Sequence, residues 1–198
     1  MIEPRSQNII SNIAMAQPRR VVFYGPGLSG KTANLLALAR MLPEGEERVR
    51  HLKADIDGGV PFELLSCDAE ELGLTAAGPL HLLTVPGLYL ASRSRRTLLK
   101  GAAGVVFVAD SRRERIDADV LLLDELGSHL VGLGLVPPKI GLVLQYNRTD
   151  DRDALAASRL DSELNRHSGL RTTAVANRGE GVLDTLRLLL DALSSRRD

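Results

Sequence analysis

The chain of 198 residues contains one cysteine, no excess of either charge and no long apolar run. Cys67 cannot form an internal disulfide, so we expect it to be a buried packing thiol, and nothing indicates an oxidising compartment. Lys and Arg together number 25, as do Asp and Glu, and the resulting zero net charge gives no support for nucleic-acid binding. Because no stretch reaches about 18 consecutive apolar residues, we expect no transmembrane helix.

Residues 1–18 show neither the apolar core nor the cleavage pattern of a signal peptide, and neither end carries a lipidation motif. They are mixed polar and are predicted to form an N-terminal extension, either flexible or a short first strand. Residues 19–198 are predicted to form one α/β domain, since a chain of this length can bury one sizeable core. The expected location is the cytoplasm.

Apolar runs alternate with helix-forming segments from Arg20 to the end of the chain. A continuous run such as 103–109 is typical of a parallel strand covered on both faces, whereas apolar positions between Val182 and Leu193 recur at helical spacing. The alternation predicts a mostly parallel six-stranded sheet with helices on both faces, which binds ligands beyond the carboxyl ends of its strands. Residues 43–79 give no clear pattern. Strands are predicted at 20–24, 81–85, 103–109, 140–146 and 172–176, and helices at 33–42, 120–133, 153–165 and 182–193.

Residues 25–32, Gly-Pro-Gly-Leu-Ser-Gly-Lys-Thr, match G-x-x-x-x-G-K-[ST] in full, between a predicted strand and a predicted helix. The glycines permit backbone angles that turn successive N–H groups toward phosphate oxygens, and the helix N-terminus adds positive charge. We expect Lys31 to reach the β- and γ-phosphates of a nucleotide and the Thr32 hydroxyl to bind Mg²⁺. The alternative is a glycine turn followed by a solvated lysine.

The segment Asn147-Arg148-Thr149-Asp150 closes a predicted buried strand and resembles the N-K-x-D motif of Ras-like GTPases. A carboxylate at Asp150 can accept hydrogen bonds from guanine N1–H and the exocyclic amine. Adenine offers neither group and would leave a buried charge unpaired. Asn147 is expected to bond the base edge and tie the loops together, and the stem of Arg148 to lie against the purine. A simple turn is the alternative interpretation.

Two further segments lie where the order of motifs in Ras-like GTPases would place them. Ala174-Val-Ala-Asn177 resembles the S-A-K segment of these families, in which an alanine N–H, here that of Ala176, reads guanine O6. Thr84-Val-Pro-Gly87-Leu88 stands in the place of D-x-x-G-Q. The predicted nucleotide-binding residues are Gly25, Leu28, Ser29, Gly30, Lys31, Thr32, Ala33, Gly87, Asn147, Arg148, Asp150, Ala176 and Asn177, and the predicted metal ligand is Thr32.

With Leu-Lys-Gly at 99–101 and Val-Val-Phe-Val-Ala-Asp-Ser at 105–111, these motifs make the chain similar to the MglA-type bacterial Ras-like GTPases of gliding motility and cell polarity. The likeness runs from about Arg20 to the end. It implies a small-GTPase fold, a GDP/GTP switch with Mg²⁺, and a cytoplasmic position that is polar or peripheral. It also implies a Roadblock/LC7-type dimer as partner and activator.

The chain departs from that family in both switch segments. Leu88 stands where the family has the glutamine that orients the attacking water, and a leucine cannot hydrogen-bond water. Pro61 and Phe62 occupy the places of an arginine finger and a Mg²⁺-sensing threonine, and the family's switch carboxylate falls near Ser66 or Asp68. An arginine finger and a positioning glutamine together contribute about 10⁵-fold or more in rate, so their loss predicts slow or absent hydrolysis.

These departures leave several functions open. The chain is a nucleotide-loaded switch or scaffold, a working GTPase completed by its activator, or a pseudo-GTPase that binds no nucleotide. The intact Lys31, Thr32 and Asp150 speak against the pseudo-GTPase, and the base motif disfavours a P-loop kinase. Partner contacts are expected through residues 58–75 and 86–100. In the second segment the apolar residues 88–90 precede Arg93, Arg95 and Arg96, a combination that suits a protein interface.

Overall fold

The computed structural model describes residues 17–53, 60–76, 78–87, 91–135 and 139–195. Within these ranges the chain forms seven strands and five α-helices that alternate as an α/β fold. The strands are β1 (Arg19–Tyr24), β2 (Val49–Lys53), β3 (Pro61–Asp68), β4 (Pro79–Thr84), β5 (Gly104–Asp110), β6 (Gly141–Asn147) and β7 (Leu170–Ala174). The helices are α1 (Lys31–Ala39), α2 (Ser92–Leu98), α3 (Ile116–Gly132), α4 (Ala157–Leu164) and α5 (Val182–Ser194).

The seven described strands form one sheet in the order β2-β3-β4-β1-β5-β6-β7. Strands β4, β1, β5, β6 and β7 run parallel, whereas β3 is antiparallel to both β4 and β2. The prediction of a mostly parallel sheet is confirmed, but the predicted count of six strands was wrong. The short edge strand β2 exposes Arg50, His51 and Lys53, so it lacks the apolar alternation that marks a strand in the sequence.

Alternate side chains of the central strands face opposite sides of the sheet. In β1, Val21 and Phe23 pack into the core beneath α1 and α5, whereas Val22 and Tyr24 pack toward α3 and α4. Each face of the sheet is therefore covered by helices. The continuous apolar runs of the sequence reflect this two-sided burial, and the predicted placement of helices on both faces is confirmed.

The loops that carry the sequence motifs leave the same edge of the sheet. The parallel strands end at Thr84, Tyr24, Asp110, Asn147 and Ala174. Because the carboxyl ends of parallel strands lie at one edge, the segments that follow them come together in space. The phosphate loop follows β1, the Thr-Val-Pro-Gly segment follows β4, and the two segments predicted to contact the base follow β6 and β7.

Element boundaries and the N-terminus are where the sequence predictions are least complete. Strand β7 ends at Ala174, two residues before the predicted end, and residues 176–178 form a 3-10 turn instead. Residues 1–16, most of the predicted N-terminal extension, lie outside the described residues.

Cys67 is buried, and this burial raises the pKa of its thiol to about 11. No helix in the described ranges is both long and apolar enough to cross a membrane.

Candidate functional site

The phosphate loop, between β1 and α1, is held by hydrogen bonds between its own residues. Lys31 Nζ donates hydrogen bonds to the Gly25 carbonyl at 2.9 Å and to the Pro26 carbonyl at 2.6 Å. Gly30 has a φ of +104°, and a Cβ there would lie 2.0 Å from Asn147 Nδ2. Only glycine therefore fits between this loop and the end of β6.

The ammonium group of Lys31 is a poorly solvated cation. The residue is buried, and this burial, opposed by the negative charge of Glu63, lowers the pKa of Lys31 to about 8. An anion bound in front of the loop would offset the lost hydration and favour the charged lysine. The local electrostatics therefore suit an anionic ligand such as a phosphate.

A cavity of about 340 Å³, here called the phosphate cavity, opens in front of the phosphate loop. Its walls come from that loop, the start of α1, β3 and the segment after β4. Gly87 packs so tightly on the loop that a Cβ there would lie 2.5 Å from Gly27 Cα, which explains the glycine at position 87. Gly25 and Ser29 are buried in the body of the loop. The predicted site residues that line the cavity are Leu28, Gly30, Lys31, Thr32, Ala33, Gly87, Arg148 and Asn177.

Glu63 brings a carboxylate to this cavity from β3. Its backbone N–H donates to Thr84 Oγ1 at 2.9 Å, and the Thr84 hydroxyl donates in return to the Glu63 carboxylate. Both residues line the cavity together with Lys31 and Thr32. Hydroxyl and carboxylate oxygens are ligands that Mg²⁺ prefers, so the donor set of Thr32 and Glu63 fits this ion beside phosphate oxygens.

The resemblance placed the switch carboxylate near Ser66 or Asp68, and neither residue lines the described cavity. Side chains alternate along β3, so Glu63 shares a face with the core residues Leu65 and Cys67, whereas Ser66 and Asp68 are exposed. Sequence reasoning missed Glu63 because it followed motif spacing. The two-residue period of the strand was the signal that could have identified it.

The first predicted switch position is part of the sheet. Pro61 and Phe62 begin β3, where they pair with Lys53 and Leu52 of β2. Pro61 lines the phosphate cavity, yet neither side chain has a guanidinium or hydroxyl group to place there. Leu88, the residue at the glutamine position, lies outside the described residues.

Asn147 joins the phosphate loop to the segment after β7. Its Nδ2 donates to the Ser29 carbonyl at 2.7 Å, and its Oδ1 accepts the backbone N–H of Ala176 at 2.9 Å. The residue is only 3% exposed. Because both ends of the side-chain amide are used, Asn147 fixes the two loops relative to each other.

A second cavity, of about 300 Å³, opens beyond this asparagine. Arg148 and Asn177 line both cavities, so the two are neighbouring parts of one cleft. Arg148 has a φ of +62° and donates from Nη2 to the Leu28 carbonyl at 3.2 Å. Its guanidinium thus lies at the junction of the two parts. The predicted site residues that line the second cavity are Asn147, Arg148, Asp150, Ala176 and Asn177.

Asp150 presents its carboxylate in the second cavity. Its Oδ2 lies 3.1 Å from Arg178 Nη2, and both side chains are partly exposed. Ion pairs of this kind contribute little, typically about 0–1 kcal/mol. The carboxylate can therefore exchange Arg178 for another donor at small cost.

Two acidic residues behind the phosphate loop were not identified from the sequence. Asp110 ends β5 fully buried, lies 3.5 Å from Arg148 Nε, and donates its backbone N–H to the Asp119 carboxylate. Nearby, Arg115 Nη2 donates to the Gly27 carbonyl at 2.6 Å. The apolar run before Asp110 marks the end of a strand but does not reveal these partners.

The fold and the site together define a class of protein. A mostly parallel sheet, a complete phosphate loop after β1 and an Asn-x-x-Asp segment after β6 characterise a single Ras-like P-loop domain. No protein-family model matches the chain. It is 37% identical over 170 residues to the Mutual gliding-motility protein MglA of Myxococcus xanthus (strain DK1622), over 85% of this chain and 86% of that protein. The chain belongs to the MglA-type family of bacterial small GTPases.

Proposed function

We propose that the chain binds GDP and GTP with Mg²⁺ and acts as a switch or scaffold with slow or absent hydrolysis. The observation that carries this proposal is a single cleft with Lys31 in one part, Asp150 in the other and Asn147 between them. A nucleotide requires a cationic site for its phosphates and hydrogen-bonding groups for its base. The chain supplies both within one cleft.

The predicted weak hydrolysis follows from what surrounds the phosphate part of the cleft. Thr32 and Glu63 would hold Mg²⁺, which neutralises charge on the phosphates when bound. Fast hydrolysis also needs a group that orients water and a further cation at the γ-phosphate. The side chains of Pro61, Phe62 and Leu88 can supply neither.

Binding of a protein partner would depend on whether the chain holds GDP or GTP. The relative carries gliding motility in its name, and we propose a role for this chain in cell polarity, motility or related signalling. The location would be cytoplasmic, polar or peripheral. The partner would be a Roadblock/LC7-type protein or another effector, bound through residues 58–75 and 86–100. If that partner supplied the missing catalytic groups, the same chain would become an active GTPase.

Calorimetric titration with GDP and a non-hydrolysable GTP analogue in Mg²⁺, followed by phosphate release from GTP over hours, tests this proposal. We expect tight binding of both nucleotides and little phosphate release. Absence of binding would overturn the proposal and favour a pseudo-GTPase. Binding with clear turnover would retain nucleotide recognition but contradict the assignment of weak catalysis.

Asp150→Asn tests the base assignment directly. An asparagine at this position can donate to the C2 oxygen of xanthine but no longer accepts both guanine donors. We expect GDP affinity to fall by about 10- to 100-fold, as for the loss of a hydrogen bond to a charged group, with a gain in affinity for xanthosine diphosphate. Asp153→Asn, the same change at a residue with an exposed side chain, is the matched control. Equal GDP affinity in both variants would show that Asp150 does not read the base.

A further inference from the structure

A buried arginine beside the phosphate cavity connects α2 to α3. Arg95 of α2 is 0% exposed, and its guanidinium pairs with both carboxylate oxygens of Glu125, Nε to Oε1 at 2.6 Å and Nη2 to Oε2 at 2.8 Å. Its Nη1 donates to the Pro86 carbonyl at 3.1 Å. Arg95 therefore attaches the segment between β4 and α2 to the third helix.

Polar side chains from β1 and α3 surround this ion pair. Tyr24 Oη donates to Glu125 Oε1 at 2.5 Å, and His129 places Nδ1 3.3 Å from the same hydroxyl and Nε2 3.2 Å from Ser92 Oγ. Burial disfavours a charge on Glu125, but hydrogen bonds from Arg95 and Tyr24 outweigh it and hold the pKa of the carboxyl below its usual range. A bidentate salt bridge with additional hydrogen bonds has one preferred geometry. It therefore fixes α2 and α3 relative to each other.

Through the Pro86 carbonyl, Arg95 contacts a segment that lines the phosphate cavity. Pro86, whose carbonyl Arg95 holds, precedes Gly87, and both residues line the phosphate cavity. Gly87 already approaches Gly27 of the phosphate loop as closely as glycine permits. A backbone N–H contributes most to phosphate binding when it is held in position before the ligand arrives.

We propose that Arg95 is a positioning residue for the γ-phosphate. Anchored on Glu125, it holds the backbone of Pro86 and Gly87 in the place where the third phosphate of GTP, absent from GDP, is recognised. This inference rests on the proposed nucleotide binding. It assigns to a buried ion pair, outside the cleft, the ability of the site to distinguish GTP from GDP.

Affinities for GDP and for a non-hydrolysable GTP analogue test the inference in Arg95→Gln and Glu125→Gln. We expect the analogue to bind about tenfold more weakly, as for the loss of one well-placed hydrogen bond, and GDP affinity to change by less than about twofold. Arg96→Gln is the matched control, because Arg96 lies in the same helix, is exposed and donates to the Gly132 carbonyl. That variant should keep the wild-type ratio of the two affinities.

The double variant Arg95→Met/Glu125→Met guards against misfolding of the single variants. Apolar residues of similar volume often replace a buried ion pair without loss of stability, yet they cannot hold the Pro86 carbonyl. We expect the same tenfold loss of preference for the GTP analogue. An unchanged ratio in the folded double variant, or equal losses for both nucleotides, would overturn the positioning role alone. A wild-type protein that bound neither nucleotide would overturn the proposed function as well.

Discussion

Asn147→Ala removes the side chain that links the two halves of the cleft. In the wild-type protein its amide bonds the Ser29 carbonyl at 2.7 Å and the Ala176 N–H at 2.9 Å, with 3% of the residue exposed. Each buried group left without a partner costs about 1–3 kcal/mol. We expect the free energy of unfolding to fall by about 2–4 kcal/mol, since the backbone recovers part of the loss by relaxing. GDP affinity should fall at least about tenfold because the loops are no longer held in the binding geometry.

Urea unfolding followed by circular dichroism measures the first quantity, and calorimetric titration with GDP measures the second. Asn177→Ala is the matched control, because this neighbouring asparagine lines the cleft but is exposed. Its free energy of unfolding should stay within about 0.5 kcal/mol of the wild-type value. If Asn147→Ala also stayed within this range and bound GDP normally, the link between the loops would carry no energetic weight, and the reasoning would be refuted.

Two further predictions concern buried charges. The pKa of Lys31 is lowered to about 8, so the free protein loses this cation above that pH. GDP affinity should therefore fall about fivefold from pH 8 to pH 9 in titrations, and less steeply in Lys31→Arg; equal slopes would contradict the assignment. Burial raises the pKa of the Asp119 carboxyl to about 8, so its contribution to stability is complete below about pH 4 and is lost as the pH rises toward 8. Asp119→Asn should raise the free energy of unfolding by about 2–4 kcal/mol at pH 8 and change it little near pH 4; destabilisation at pH 8 would rule this out.

Features that depend on neighbouring residues were accessible from the sequence. The phosphate loop requires only eight consecutive residues, and the central strands are continuous apolar runs because helices cover both faces of the sheet. Strand β2 was missed because a short edge strand keeps its polar side chains in solvent. Glu63 was missed because alignment by motif spacing ignored the alternation of β3, which turns Glu63 toward the cavity and leaves Asp68 exposed.

By itself, the sequence determined the class of fold, the phosphate loop and the order of the motifs, because backbone preferences and apolar periodicity are local properties of a chain. Only the tertiary structure decided which polar groups act on that loop. Asn147 bonds a carbonyl 118 positions away, and Arg95 pairs with a carboxylate 30 positions away. Such contacts depend on how strands and helices pack in three dimensions, since a hydrogen bond forms only within about 3 Å, whatever the separation along the chain.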